Sequence, residues 1–450
     1  MLSPILRLGR TLARWEWPRV VAVMLAALVA RLAIGWPLRA HYFENANQVL
    51  FVEIARTLAA SGEYAPAPGQ PTMHLPPAYP LFLAGMYRLF GPSAEVTIVA
   101  HALVGSAVAW GTYLFGRFVC GRGVAFVAAV AVALHPYLAS QGAAVNEDPL
   151  LTLFLLLAVC LVLRAREGAG PITAFTAGVA AGLAVLTKSV ALPFFVLVAC
   201  WWAIARRRPD EPRRPTAPLL FLLAVAMTVS PWLVRNNLVF GFPSIGETSA
   251  GISLWKGNNA LTFELYPENT LDTLSVHAYE QVPTSVVGER EVNRWLSDDA
   301  VRYAAGHPRE TAVGGARKAL LLFDWRLVPR LRGTAVVDGQ GSILVPAAPR
   351  RWWEAWLYGV PYLLMLPFTV VGAVGVWRRR ADTGRLLLML ITWWAIAHAL
   401  LVAYTSYRAP LEPFLILLAV DGAARSWRRL HGTIGGRGEN WASSRALPNV

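Results

Sequence analysis

The chain alternates long apolar runs with short polar segments along most of its 450 residues. A helix needs about 20 mostly apolar residues to cross the hydrocarbon core of a bilayer, and somewhat fewer where flanking side chains extend to the interface. The segments that meet this requirement are 20–36, 96–118, 124–138, 149–163, 172–187, 190–205, 218–233, 356–376, 386–404 and 410–424. The pattern therefore predicts an all-α polytopic membrane protein with a bundle of about ten transmembrane helices.

Two connections between the predicted spans are much longer than the others. The first large loop, 37–95, follows the first span, and the second large loop, 236–355, follows the seventh. Apolar positions in 47–60 fall mostly on one helical face, which predicts a helix lying along the membrane surface, although packing against the bundle would produce the same pattern. A helical pattern also covers 289–305. The predicted modules are 1–235, 236–355, 356–425 and a tail, 426–450.

The arginines provide a test of this topology, because cytoplasmic loops of membrane proteins are enriched in Lys and Arg. They cluster before the first span and then in every second connection. The clusters are Arg7, Arg10, Arg14 and Arg19; Arg117 and Arg122; Arg164 and Arg166; Arg206, Arg207, Arg208, Arg213 and Arg214; Arg378, Arg379, Arg380 and Arg385; and Arg425, Arg428 and Arg429. We therefore expect both termini in the cytoplasm and both large loops on the outer face. No small-residue cleavage site follows the first span, which we expect to be uncleaved.

The composition excludes a soluble protein. Hydrophobic residues make up 56% of the chain and charged residues only 15%, whereas soluble domains have about a quarter charged residues. The net charge of +14 reflects the cytoplasmic clusters and does not indicate a nucleic-acid partner. Lysine occurs only at Lys188, Lys256 and Lys318, so arginine supplies nearly all the basic residues. Such a bias is typical of GC-rich bacterial genes. We therefore expect a multi-pass protein of the bacterial plasma membrane.

Two acidic positions on the predicted outer face are candidates for chemistry. Glu44 follows the first span, and Glu147 and Asp148 occupy the short loop between spans three and four. A carboxylate at the mouth of a bundle can act as a general base towards an acceptor hydroxyl or amine, or can hold a metal ion or a substrate hydroxyl. Acidic residues without a function, exposed to solvent in a loop, would give the same sequence pattern.

Basic residues are rarer at the outer membrane boundary, where Lys188, Arg235 and Arg408 adjoin the ends of spans. Guanidinium and ammonium groups at this depth suit a lipid-linked phosphate, although anchoring to headgroups explains each of them equally well. Three together favour an anionic lipid substrate. Arg31, within the first span, is either a residue whose side chain extends to the interface or an interior charge with a partner.

Two further segments contain substrate-binding candidates. His74 opens a Pro-rich run that predicts an extended turn. Asn258 belongs to segment 251–259, which contains a Trp, a Lys and two Asn residues. These side chains could stack on a sugar and hydrogen-bond to it, but the same segment could equally form a simple turn. The chain contains neither a phosphate-binding Gly-rich loop nor a His-Glu metal helix. An outward-facing enzyme without a nucleotide site requires an activated donor delivered within the membrane.

These motifs, in their order along the chain, resemble polytopic glycosyltransferases of the GT-C fold, specifically family 39-like enzymes related to protein mannosyltransferases and lipid A aminoarabinose transferases. The matching fragments are Ile54-Ala55 with Gly62-Glu63-Tyr64, Pro76 to Pro80, Leu89 to Gly91, His135-Pro136, Asn146-Glu147, Gly182 to Lys188, Pro231 to Asn236, Phe240-Gly241, Trp255 to Asn259, Gly288-Glu289, His307-Pro308 and Tyr407 to Pro410. The similarity extends over nearly the whole chain.

The resemblance implies transfer of a hexosyl or pentosyl group from a polyprenyl-phosphate donor to a membrane lipid, glycan or protein acceptor of the cell envelope. It also implies a carboxylate base in the first large loop. Here the chain departs from the family pattern, because Asn47 and Gln48 replace an acidic pair. The base is then Glu44, which we favour, or Glu53 or another acid, or activity has been lost.

Lys188, Arg235 and Arg408 match positions where the family has basic residues near the lipid phosphate, and Glu147 matches an acidic position. The sequence identifies no metal site and leaves a requirement for a divalent cation open. A transporter, a lipid flippase or a non-catalytic scaffold would share the spans and the charge asymmetry. The two large loops, and the absence of symmetry between the halves, favour an enzyme.

Overall fold

The structure, a computed structural model, describes residues 3–41, 46–205, 216–245, 250–262, 271–325, 336–337, 343–344, 352–379 and 382–442. The α-helices are α1 Ser3–Gly35, α2 Ala46–Ser61, α3 Ala78–Phe90, α4 Ala94–Val119, α5 Arg122–Leu134, α6 Pro136–Ser140, α7 Asp148–Arg166, α8 Pro171–Thr187, α9 Leu192–Ile204, α10 Thr216–Phe240, α11 Ala250–Gly257, α12 Leu271–Gln281, α13 Glu289–Gly306, α14 Pro308–Leu322, α15 Trp352–Arg378, α16 Asp382–Leu400 and α17 Glu412–Ala442. Short 3-10 helices cover Trp36–His41, Gln141–Ala143, Ser189–Ala191 and Thr405–Leu411. Two strands, β1 Val336–Val337 and β2 Ile343–Leu344, pair antiparallel.

Each of the ten predicted spans coincides with a helix, which confirms the all-α polytopic class. Six segments of the described chain are long and apolar enough to cross a bilayer: Trp17–Ala40, Ala94–Val119, Asp148–Arg166, Thr216–Phe240, Trp356–Arg378 and Asp382–Leu400. The apolar helices at spans three, five and six are shorter. The helix at span ten, α17, includes Glu412, Asp421 and Arg425 within its first turns. The structure therefore does not confirm the count of ten.

Close approach of the helices depends on glycines. A Cβ atom on Gly178 of α8 would lie 2.2 Å from the Phe221 carbonyl oxygen of α10, and a Cβ atom on Gly372 of α15 would lie 2.0 Å from the Leu418 carbonyl oxygen of α17. Small residues at such contacts let backbones pack closely in a bilayer, where apolar side chains gain little by leaving lipid. The outward faces of the bundle keep large apolar side chains exposed, including Val29, Leu219 and Leu364.

The first large loop folds against the bundle. Helix α2 covers the segment predicted as a surface helix, and its apolar face is buried, with Ile54 fully inaccessible. The Phe51 ring meets the Tyr79 ring of α3 edge to face, with centroids 4.9 Å apart. Packing within the protein thus accounts for the periodic pattern in 47–60. In the second large loop, α13 confirms the helix predicted at 289–305.

Several helix ends meet at one end of the bundle, which we call the site end. Helices α1, α8 and α10 end there, and α7 and α17 begin there. Both large loops are attached at this end, since Arg235 near the end of α10 donates hydrogen bonds to the first loop. Polar helix termini, loop backbone and charged side chains therefore share one region.

Candidate active site

Lys188 joins the two acidic residues of the short loop before α7. Its Nζ atom lies 2.9 Å from Glu147 Oε1 and 2.9 Å from Asp148 Oδ1. All three side chains are mostly shielded from solvent, with relative exposures between 14% and 20%. The structure thus brings together three of the residues predicted from the sequence, which come from two separate segments of the chain.

Local geometry fixes both sides of this cluster. The Asn146 side chain accepts a hydrogen bond from the Asp148 backbone N–H at 2.9 Å and donates to Gln141 Oε1 at 2.7 Å, which sets the start of α7. Lys188 follows the last residue of α8 in extended conformation, so its side chain leaves the helix axis. Its ammonium group lies 5.4 Å from the centre of the Tyr407 ring, a cation–π contact.

The carboxylates hold Lys188 in its charged form. Burial alone would lower the pKa of Lys188, but Asp148 and Glu147 outweigh burial and raise the pKa of Lys188 well above its ordinary value. The ammonium group lies between the carboxylates, where a cation bridging both would bind. Among the described residues, no group of three or more His, Cys, Asp or Glu side chains is placed to hold a metal ion. The metal requirement stays open, because Glu44 lies outside the described residues.

Arg235 ties α10 to the first large loop. Its Nη1 donates to the Thr72 carbonyl oxygen at 2.7 Å, and its Nη2 donates to the Tyr64 carbonyl oxygen at 3.0 Å. The guanidinium also lies 5.0 Å from the centre of the Trp232 ring and 5.2 Å from that of the Phe240 ring. Two of its donors are therefore committed to loop backbone, and its predicted contact with a lipid phosphate stays a prediction.

A second polar cluster joins the two large loops. Glu289, at the start of α13, accepts hydrogen bonds from Thr72 Oγ1 at 2.5 Å and from the Met73 backbone N–H at 3.0 Å. His74 is next along the chain, and its backbone N–H donates to Thr72 Oγ1 at 3.0 Å. Burial lowers the pKa of His74, Glu289 opposes this effect, and Lys256 adds to it. His74 thus lies beside a junction of the loops, with its imidazole favoured in the neutral form.

Arg408 is completely buried, unlike a residue at a headgroup interface. Its Nε donates to Glu412 Oε1 at 2.6 Å, and its Nη1 donates to the carbonyl oxygens of Leu322 at 3.1 Å and Asp324 at 2.7 Å. The guanidinium stacks on the Tyr362 ring, 3.5 Å from its centre. These contacts join the end of α14 to the start of α17, and binding of phosphate by Arg408 stays a prediction.

Asn258 is buried and closes a turn. Its Nδ2 donates to the carbonyl oxygens of Leu254 at 2.9 Å and Leu400 at 2.8 Å. The buried Lys318 ammonium lies next to it and donates to the carbonyl oxygens of Gly257 and Leu401, at 2.8 Å each. The role of Asn258 in binding sugar stays a prediction, while its contacts join the second large loop to α16.

Some predicted positions lie outside the described residues, and some residues were not predicted. Glu44 and the side chains of Asn47 and Gln48 lie outside the described residues. Lys318, Glu289 and Thr72 were not predicted from the sequence. Two of them had a signal in the sequence. Lys318 is one of only three lysines in the chain, and Glu289 belongs to one of the fragments that match the glycosyltransferase family. Thr72 had no such signal, because its partner is 217 residues away.

A family model supports the resemblance. Residues 74–234 match the model described as dolichyl-phosphate-mannose-protein mannosyltransferase. The match covers His74, Glu147, Asp148 and Lys188 and ends one residue before Arg235. It spans just over a third of the chain. No curated protein sequence matches the chain.

Two oligosaccharyltransferase structures support the fold over almost the whole chain. The archaeal oligosaccharyltransferase AglB from Archaeoglobus fulgidus, in complex with an inhibitory peptide and a dolichol-phosphate, is similar with a TM-score of 0.55 and 13% identity, over 97% of this chain and 52% of that one. The Archaeoglobus fulgidus oligosaccharyltransferase in the apo form has a TM-score of 0.55 and 15% identity, over 97% of this chain and 53% of that one. ArnT from Cupriavidus metallidurans, bound to undecaprenyl phosphate, has a TM-score of 0.39 and 16% identity, over 91% and 78%.

The chain spans about half the length of the oligosaccharyltransferase structures that it matches. Identities of this size support a shared fold and do not transfer an activity. The family match falls on the segment that supplies the Lys188 cluster, and the fold match extends around it. The chain therefore has the fold of the GT-C glycosyltransferases and contains, over residues 74–234, the sequence pattern of the dolichyl-phosphate-mannose-protein mannosyltransferase family.

Proposed function

We propose that the protein is a membrane glycosyltransferase that moves a sugar from a polyprenyl-phosphate donor to an acceptor at the outer face of a bacterial plasma membrane. The observation that carries this proposal is the Lys188 ammonium held between Glu147 and Asp148 at the site end, within the segment that matches the mannosyltransferase family. One compact cluster supplies carboxylates for proton transfer and a cation for a phosphate.

The reaction is a single displacement at the anomeric carbon of the donor. An acceptor oxygen or nitrogen forms a bond to that carbon while the bond from the carbon to the phosphate oxygen breaks, and its electron pair leaves with the polyprenyl phosphate. The acceptor proton passes to a carboxylate. Charge develops on the departing phosphate oxygen, and a nearby cation lowers the energy of the transition state by stabilising that charge.

We assign the proton acceptor to Glu147 or Glu44. Glu147 shares its cation with Asp148, so the three groups together keep one net negative charge, and a carboxylate of the cluster stays available to accept a proton. Glu44 fits the family pattern better, because the resemblance implies an acid in the first large loop. Asp148 positions Lys188, and Lys188 faces the donor phosphate. Arg235, His74, Asn258 and Arg408 complete the proposed substrate-binding set.

One comparison supports the donor class, because AglB was solved with a dolichol-phosphate. A structure of the Archaeoglobus fulgidus oligosaccharyltransferase with a tethered acceptor peptide supports transfer to a separate acceptor. A polyprenyl-phosphate donor also agrees with the sequence of this chain, which has no nucleotide-binding loop. The proposal leaves the sugar as a hexose or a pentose and the acceptor as a lipid, glycan or protein of the cell envelope. Both termini are proposed to be cytoplasmic.

A second candidate function is non-catalytic binding or flipping of a lipid-linked sugar. Asn47 and Gln48, in place of the acidic pair of the family, are the observation that favours it. A donor that is labelled with one isotope in the sugar and another in the lipid distinguishes the two functions. We expect purified protein in vesicles with mixed membrane acceptors to separate the labels. Labels that cross the bilayer together, with no separation for any donor tested, would favour flipping.

A further inference from the structure

An aromatic ring adjoins the Lys188 ammonium group beside its two carboxylates. The centre of the Tyr407 ring lies 5.4 Å from Nζ, while carboxylate oxygens of Glu147 and Asp148 each lie 2.9 Å from it. A ring face attracts a cation within about 6 Å, and the attraction is stronger where water is excluded. Lys188 is mostly shielded from solvent, and Tyr407 is half-buried. The ring therefore contributes to holding the ammonium group in place.

Two consecutive tryptophans of α16 bind both sides of this contact. The Trp393 indole N–H donates to the Val190 carbonyl oxygen at 2.9 Å, and the Trp394 indole N–H donates to the Tyr407 carbonyl oxygen at 2.8 Å. Val190 belongs to the short 3-10 helix that directly follows Lys188. Consecutive residues of an α-helix point about 100° apart, so the pair reaches two different segments. Helix α16 thus sets the distance between the segments that carry Lys188 and Tyr407.

Neighbouring rings fix the orientation of the Tyr407 side chain. The centroid of its ring lies 5.3 Å from that of His398 and 6.4 Å from that of Tyr404. The backbone is fixed as well, since the Tyr407 N–H donates to the Tyr404 carbonyl oxygen at 3.0 Å. The His398 ring is tied in turn to α16, because its Nδ1 lies 2.9 Å from the Trp394 carbonyl oxygen. These contacts keep the Tyr407 ring beside the ammonium group.

The position of the ammonium group matters for the proposed chemistry. A lysine side chain has three N–H donors on a flexible four-carbon stem. Glu147 and Asp148 accept two of these donors, which leaves one for a phosphate oxygen. A misplacement of about 1 Å can slow an enzymatic reaction by about a hundredfold. A ring face attracts the whole charge without the directional demand of a hydrogen-bond acceptor, so it restrains the ammonium group and leaves the third donor for a phosphate.

We propose that Tyr407 is a positioning residue for Lys188, which it holds by a cation–π contact at the distance set by Trp393 and Trp394, so that the remaining N–H of Lys188 meets the donor phosphate. The proposal rests on the proposed function for the identity of the phosphate. The attraction between the ring and the ammonium group does not depend on that function. The two parts can therefore fail separately.

The first test weakens the ring face without changing its size much. Tyr407→Phe is the reference, and phenylalanines with one, two or three ring fluorines replace it in turn, since each fluorine withdraws charge from the ring face. We expect both the thermal unfolding midpoint and kcat to fall steadily along the series, kcat by about tenfold in all. KM for a polyprenyl-phosphate sugar should change much less, because the charge on the phosphate grows as its bond to the sugar breaks.

The control is the same series at Phe115, a buried ring whose centroid lies 5.3 Å from that of Phe414. Fluorination there should leave kcat unchanged. In a Lys188→Met background the midpoint should no longer depend on fluorination at position 407. A midpoint and a kcat that both stay constant along the Tyr407 series would overturn the contact, and a falling midpoint with a constant kcat would overturn the positioning role. A wild type without turnover would overturn the proposed function, while the midpoints still decide the contact.

The second test removes the tryptophan donors one at a time. Trp393→Phe and Trp394→Phe each keep an aromatic ring and lose one hydrogen bond to the segments beside Lys188 and Tyr407, so each should lower kcat by about threefold or more. Trp201→Phe is the matched control, because the buried Trp201 indole N–H has no hydrogen-bond partner among the described residues. A kcat equal to that of wild type in both Trp393→Phe and Trp394→Phe would overturn the role of the tryptophan pair.

Discussion

The Arg408 guanidinium and the Glu412 carboxylate form an ion pair of 2.6 Å from which solvent is fully excluded. The pair lies one helical turn apart at the start of α17, and the same guanidinium holds the carbonyl oxygens that end α14. Removing one partner of a buried pair leaves the other charge without compensation, which costs about 3–5 kcal/mol.

Arg408→Met should therefore lower the free energy of unfolding by about that amount. Glu412→Leu in the same chain should recover part of the loss, because the orphaned carboxylate is then absent. Chemical unfolding in detergent, followed by Trp fluorescence, measures both effects. An unchanged free energy of unfolding in Arg408→Met would contradict this structural role, and weakened donor binding would separately support the proposed contact of Arg408 with the lipid phosphate.

Arg235 should control the order of the first large loop. Arg235→Met removes two charge-assisted hydrogen bonds to the loop backbone, each of which contributes about 1.5–3 kcal/mol. Amide hydrogen exchange in 64–74 should then become at least about tenfold faster. Mass spectrometry of exchanged peptides measures the change, with Arg88→Met as the control because Arg88 is exposed on α3. Unchanged exchange in this segment would show that the contacts do not order the loop.

Lys318 should make stability depend on alkaline pH. Burial lowers the pKa of Lys318 from its ordinary value of 10.5 to about 8. Between these values the unfolded chain binds a proton that the folded chain has released, so the contribution of Lys318 to stability should rise with pH across that window, by about 3 kcal/mol in total. The unfolding midpoint at about pH 7 and about pH 10 measures the rise.

The matched variants for this pH effect are Lys318→Met and Arg317→Met. Lys318→Met should abolish this contribution, because the amine that loses its proton on folding is then absent. Arg317 is the exposed neighbour of Lys318, so Arg317→Met should keep the rise. A rise of the same size in Lys318→Met would assign it to another group.

Lys188 should be required for transfer beyond its contribution to folding. Lys188→Met leaves Glu147 and Asp148 side by side without their shared cation, so both the unfolding midpoint and the transfer rate should fall, the rate by about a hundredfold or more. A double variant, Lys188→Met with Asp148→Asn, removes one of the two carboxylates that would repel each other. This double variant should recover its midpoint but not its rate. Recovery of both would make Lys188 purely structural.

The helices were predictable because each bilayer-spanning segment leaves an apolar run whatever its neighbours are. Glu147, Asp148 and Lys188 were predictable as candidates because they lie in short connections directly at the ends of predicted spans. Their direct contact was not, since it depends on the packing of α7 against α8. The burial of Arg408 was not predictable either, because an arginine that anchors to lipid headgroups and one in a buried ion pair cannot be distinguished in the sequence. The count of ten helices stays unconfirmed, partly because α17 keeps buried charges in its apolar stretch.

The central claim is that this protein transfers sugar from a polyprenyl phosphate with a site-end carboxylate as the base. The most direct measurement is the rate at which labelled sugar from a polyprenyl-phosphate donor appears on a membrane acceptor, for wild type, Glu147→Gln, Glu44→Gln and the exposed control Glu280→Gln. We predict turnover by wild type and Glu280→Gln, and a loss of about a hundredfold or more in at least one of the other two. Full transfer by both Glu147→Gln and Glu44→Gln would contradict the assigned base, and no transfer by wild type with any donor would contradict the claim itself.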